Sequence, residues 1–77
     1  NPVRGVGSVR YLLPSDAHVQ LAVYDLLGRR VTTLVDAPQT AGRKTVELDT
    51  GALSSGLHML VLRADGNQRT EKISVVR

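Results

Sequence analysis

The chain has 77 residues, ten Lys and Arg against seven Asp and Glu, no Cys, Phe or Trp, and a formal net charge of +3. That length makes one small domain whose apolar residues are nearly all needed for packing, which leaves no room for a deep pocket beside the core. Without Cys there is neither a disulfide nor thiol chemistry. The basic residues are spread from Arg4 to Arg77 rather than clustered, so they describe a solvated surface and no nucleic-acid partner.

Eleven Val and eleven Leu dominate the apolar set, with Tyr11 and Tyr24 the only aromatics, a composition that favours strands. In chain order, residues 1–7 (NPVRGVG) read as a linker or N-terminal edge, because Pro2, Gly5 and Gly7 interrupt any regular pattern. The domain proper is expected over 8–77. In SVRYLLP, Val9, Tyr11 and Leu13 alternate onto one face, and Pro14 with Ser15-Asp16 ends the strand. HVQLAVYD is the clearest strand, with Val19, Leu21 and Val23 on one side and Gln20, Ala22 and Tyr24 on the other. A tight connection follows, where Gly28 can take a positive φ.

A third strand is expected over residues 30–35, with its alternation broken at Leu34-Val35 by a bulge or a strand end. Residues 36–42, holding Pro38 and Gly42, read as a loop. KTVELDT is a fourth strand with Val46 and Leu48 inward, and residues 51–56 (GALSSG) are an irregular connection. LHMLVLRA is apolar on both faces and so should be a central strand. Asp65-Gly66-Asn67 is a hairpin turn signal, and a sixth strand runs from about residue 68 to 76. Six or seven short strands at this spacing imply an all-β sandwich or a small barrel.

The chemistry-bearing residues do not converge in sequence. Asp49, Ser54, Ser55 and His58 can be named as a Ser/His/Asp set, but no nucleophile motif supports it. His18 and His58 are forty residues apart, and neither has a ligand-type neighbour at metal-binding spacing. Neither a metal nor a cofactor is expected. Asp16, Asp25, Asp36, Asp49 and Asp65 fall at expected strand ends, where an Asp caps its own turn through backbone hydrogen bonds. A carbohydrate-binding module would need exposed aromatic rings, and only Tyr24 lies off the inward faces. The chain begins at Asn1 without a Met and is read as a piece of a longer protein, so the lack of a leader says nothing about where it acts.

Several blocks carry a family resemblance: NP at residues 1–2, SVRYLLP at 8–14, HVQLAVYDLLGRRVTTLVD at 18–36, AGRKTVELDTGALSSGLHMLVLRADG at 41–66 and TEKISVVR at 70–77. In order and spacing they resemble the type A C-terminal sorting domain of the type IX secretion system. The resemblance covers essentially the whole chain. It implies an immunoglobulin-like antiparallel β-sandwich of six to seven short strands, attached at its N-terminal side to a cargo protein. The domain would pass through the periplasm, be read by outer-membrane translocon components, be removed by a sortase-like peptidase, and leave its cargo secreted or on the cell surface. No catalysis is implied. Two departures stand out: His58 occupies a place usually held by Tyr, and Arg77 one often held by Lys.

Carried over residue by residue, the resemblance makes Arg29, Lys72 and Arg77 candidates for translocon recognition. Gly28 and Gly56 fall in its turn motifs, where they serve turn geometry or the signal itself. An unpaired strand edge would also allow a homodimer in isolation. The alternative reading is a non-catalytic immunoglobulin-like spacer or accessory module of a surface hydrolase, a look shared with the C-terminal domain of flagellar hook-capping proteins.

Overall fold

The alternating Val and Leu residues become seven strands in the computed structural model, which describes residues 2–3 and 6–76. They are β1 (Pro2–Val3), β2 (Val6–Leu13), β3 (Ala17–Tyr24), β4 (Arg30–Gln39), β5 (Gly42–Asp49), β6 (Gly56–Ala64) and β7 (Asn67–Val75), with one 3-10 turn at Thr50–Ala52. A five-stranded sheet has the order β1-β7-β6-β3-β4, and a two-stranded sheet pairs β2 with β5. All neighbours are antiparallel except β1, which runs parallel to β7 at Pro2↔Ser74 and Val3↔Val75. The two sheets enclose one aliphatic core and so form the expected sandwich.

That core joins Leu21 and Val23 of β3, Leu48 of β5, Leu53, Leu60 of β6, and Ile73 and Val75 of β7. Val9, Tyr11 and Val46 close it from the smaller sheet. Leu21, Leu48, Leu53, Val19 and Val23 are fully buried, and each contributes about 1.5–3 kcal/mol of transfer free energy. β6 is central, between β3 and β7, as its two apolar faces imply. The Asp65-Gly66 turn has positive φ at both residues, 51° and 78°, as a two-residue hairpin turn that follows the strand twist requires.

Two boundaries differ from the sequence expectation. Residues 36–39 are not a loop. β4 continues through Pro38 to Gln39, paired with β3 as far as Ala17↔Gln39. Pro38 is tolerated because β4 is the edge of its sheet and needs no N–H on the outer side. The broken alternation at Leu34-Val35 is a bulge, since Leu21 pairs with Val35 and Ala22 with Thr33, and both Leu34 and Val35 still pack on the core. At the N-terminal side, β2 begins at Val6, so Val6 and Gly7 belong to the smaller sheet.

Candidate recognition surface

The turn between β3 and β4 is built on Asp25. Its Oδ1 accepts the N–H groups of Leu27 and Arg29, each at 2.9 Å, and its Oδ2 accepts Arg29 Nε–H at 2.8 Å. The Asp25 N–H donates to the Arg29 carbonyl at 2.9 Å, and the Gly28 N–H to the Asp25 carbonyl at 3.1 Å. Gly28 sits at φ 83°, a left-handed conformation that costs an L-residue energy, although nothing lies within 4 Å of where a Cβ would stand. The backbone hydrogen bond from Arg29, followed by the Arg29 side chain and the Leu27 N–H, holds the Asp25 carboxyl below its usual range against a smaller desolvation effect. The D-x-x-G-R spacing is thus a self-contained turn. Arg29 is already engaged within it, though its side chain remains 73% exposed.

Gly56 opens β6 at φ 122°, again with open space where a Cβ would be. Backbone at that φ is essentially confined to glycine. His58, two residues on, is buried at 4% exposure. Its Nδ1 lies 3.3 Å from the Gly56 carbonyl, which can only accept, so that nitrogen carries the proton in the bond. Asp49 is engaged elsewhere, taking the Gly51 N–H at 2.8 Å at the start of the 3-10 turn. The Ser/His/Asp set therefore does not join into a hydrogen-bonded chain among the described residues.

The register gathers several of the predicted residues at one end of the larger sheet. Tyr24 pairs with Met59 and Arg30, Met59 with Lys72, and Gly56 with Val75. The Gly28-Arg29 turn, the Gly56 start of β6 and the end of β7 therefore share that end, with Lys72 in the row that borders the turn, three rows in from Gly56–Val75. Arg77 lies outside the described residues. Lys72 is exposed and makes no hydrogen bond or ion pair with another described residue.

β7 is exposed over six consecutive residues, Asn67 to Lys72, and only then buries Ile73 and Val75. Two features cause this. Among the described residues, β1 covers the outer edge of β7 at Ser74 and Val75. The two-stranded sheet also stops short of it, leaving a cleft of ≈ 310 Å³ bordered by Val9, Leu48, Leu60, Glu71 and Ile73. The two-residue hairpin makes Ala64 and Asn67 the first bonded pair, so by alternation the N–H groups of Gln68, Thr70 and Lys72 point away from β6. Among the described residues no strand pairs with that stretch of the edge.

The acidic residues divide into two kinds. Asp25 and Asp49 cap their own turns, as their positions imply. Asp16 instead accepts the Ala41 N–H at 2.8 Å, tying the β2–β3 connection to the β4–β5 turn. Asp36 lies within β4 and its Oδ1 is 2.6 Å from His18 Nε2 on β3. Both groups are about half exposed, which keeps such a pair weak. That contact is the chief cause holding the Asp36 carboxyl below its usual range. Tyr11 donates to Gln39 between the two sheets, and burial raises its phenol pKa while that bond opposes the shift. Tyr24 is partly buried and its hydroxyl accepts a hydrogen bond from Arg63 at 3.3 Å.

A search of curated proteins finds no match to the chain. Among solved structures, the 1.4 Å crystal structure of an uncharacterized protein from Bacillus anthracis str. Ames superposes with a TM-score of 0.76 at 15% identity. The alignment covers 100% of this chain and 77% of the other, and at that identity it shows a shared fold. The model of the secretion system C-terminal sorting domain matches residues 1–76. With that match over nearly its whole length, the chain belongs to the secretion system C-terminal sorting domain family and is a folded export signal of the type IX system.

Proposed function

We propose that the export machinery reads this signal mainly along β7, by adding a strand to its open edge and pairing an acidic group with Lys72. The carrying observation is the six-residue exposed run of a strand whose neighbour β6 buries His58, Leu60 and Val61. A backbone edge gives affinity without demanding a particular sequence, and a cation beside it gives register and partner choice. In an isolated domain the same cation discourages edge-to-edge pairing of two copies, so the homodimer is the lesser use of this edge. Arg77, continuing the same chain end, adds a second cation to the recognition element.

Arg29 takes a smaller part than its motif suggests, because Asp25 already holds it. Gly28 and Gly56 serve geometry. The domain acts without catalysis, crosses the periplasm folded, and is removed by a sortase-like peptidase once its cargo is outside. The test is a fusion of residues 1–77 to a reporter in a host that has this secretion system. The reporter is expected in the medium or on the cell surface. Retention in the periplasm would contradict the reading.

A further inference from the structure

The Asp25 turn has a consequence for the two residues it encloses. Its hydrogen bonds use the carboxylate, the Arg29 Nε–H and the local backbone, while Leu26 and Leu27 are 60% and 79% exposed and the rest of the Arg29 guanidinium stays open to solvent. Single exposed leucines are ordinary. These are not scattered: of the five large exposed hydrophobics among the described residues, four lie at this end of the larger sheet, namely Leu26, Leu27, Val31 and Leu57. Leu12 is the fifth, at the opposite end, where β2 leads into β3.

Charge around this tip is net positive. Arg29 and Arg30 follow the leucines after Gly28. The register row behind them runs Arg30–Tyr24–Met59–Lys72, with Arg30 and Lys72 exposed. The one carboxylate in the turn, Asp25, is matched by Arg29. An exposed apolar turn flanked by two arginines suits a flat, soft, anionic partner that lets the leucines sink while the arginines stay at the headgroups. A rigid turn presents the leucines with little ordering cost on contact.

The geometry points to the β3–β4 tip as a membrane-surface anchor, in which Leu26 and Leu27 enter the headgroup region of an anionic phospholipid bilayer and Arg29 and Arg30 face its phosphates. This role is separate from strand addition at the edge of β7. It would hold the exported domain against the bilayer that it must reach and reduce its search to two dimensions. Two leucines bury less than one acyl chain, so binding is weak and reversible, below that of a single myristoyl group.

The test is sedimentation of the purified domain with vesicles of 70% phosphatidylethanolamine and 30% phosphatidylglycerol, with neutral phosphatidylcholine vesicles beside them. Wild-type protein is expected to partition to the anionic vesicles and to release as NaCl is raised. The pair Leu26→Ser and Leu27→Ser should lower the partition coefficient about tenfold or more, with the thermal midpoint little changed because neither side chain packs in the core. Leu12→Ser, which removes a leucine of similar exposure at the far end, should leave it unaltered. Failure of the wild-type domain to bind, equal loss with Leu12→Ser, or retention by the double variant would each overturn the proposal. Loss of export by the double variant without any vesicle binding would overturn it too, and would assign the tip to a protein partner.

Discussion

β6 and β7 are the two limbs of one hairpin, yet they have opposite surroundings. β6 is paired on both edges and carries His58, Leu60 and Val61 buried on its two faces. β7 is paired fully on one edge, and its first six residues are exposed on both faces. Same-length strands with continuous pairing therefore differ in what holds them: side-chain burial for β6, backbone hydrogen bonds and two terminal anchors for β7. On the proposed reading a signal domain needs both, since it must stay folded and must also leave a strand readable. Placing the two demands on adjacent limbs lets a domain this small meet them.

That contrast can be broken most sharply within β7 itself. Ile73→Ala should destabilise by about 2–5 kcal/mol, because its side chain is in the core. A fall of that size moves the thermal midpoint of so small a domain by about 8–40 °C, at about 4–8 °C per kcal/mol. Thr70→Ala, three residues earlier, should stay within about 0.5 kcal/mol. Equal effects by circular dichroism melting would refute the division. The same burial makes removal of residues 73–77 a poor probe of recognition, since it deletes Ile73 and Val75 from the core along with the chain end.

Next in size are the turns that set where the limbs begin. Gly56→Ala forces an L-residue to φ 122° and should cost about 1–3 kcal/mol. Gly28→Ala, at φ 83°, should cost about 1–2 kcal/mol. Neither site has a steric obstacle, so the cost is backbone strain alone, and Asn at position 28 should recover part of it. If Gly28→Ala proves the more harmful, the assignment of strain is wrong.

The smallest effect is in pH. Asp25 has its folded pKa lowered, so its contribution is present above its unfolded value near 3.8 and is lost as pH falls through the lower folded value. Asp25→Asn should weaken the domain at neutral pH and flatten this acid limb, while leaving the melting point nearly unchanged at the lowest pH. Melts across pH 2 to 6 would show it.

Much of this architecture is legible in the chain. Val19, Leu21 and Val23 alternate cleanly and are all buried, and the two-faced apolar run at 57–62 correctly marks a central strand. Pro38 misleads because the rule against proline in strands weakens at an edge, and edge status is a property of the sheet. The pairs Asp16 with Ala41 and Tyr11 with Gln39 join residues 25 and 28 apart, so no local pattern announces them. The Asp25–Arg29 pair does have a local signal, the i,i+4 spacing across a Gly turn, but the family motif points to Arg29 as a recognition cation and the pairing emerges only in the structure. Leu26 and Leu27 look like core residues by type, and only the turn's hydrogen bonds show that they face water.

The central claim is that the exposed limb of β7 is read during export while the rest of the domain serves to keep it folded. The most direct measurement compares export of the 1–77 reporter fusion carrying Lys72→Glu or Thr70→Pro with its thermal stability. Lys72 is exposed and Thr70 turns its N–H outward, so Lys72→Glu should leave the fold intact and Thr70→Pro should weaken it only modestly. The account predicts folded fusions that stay in the periplasm. Folded fusions exported at the wild-type level would contradict it.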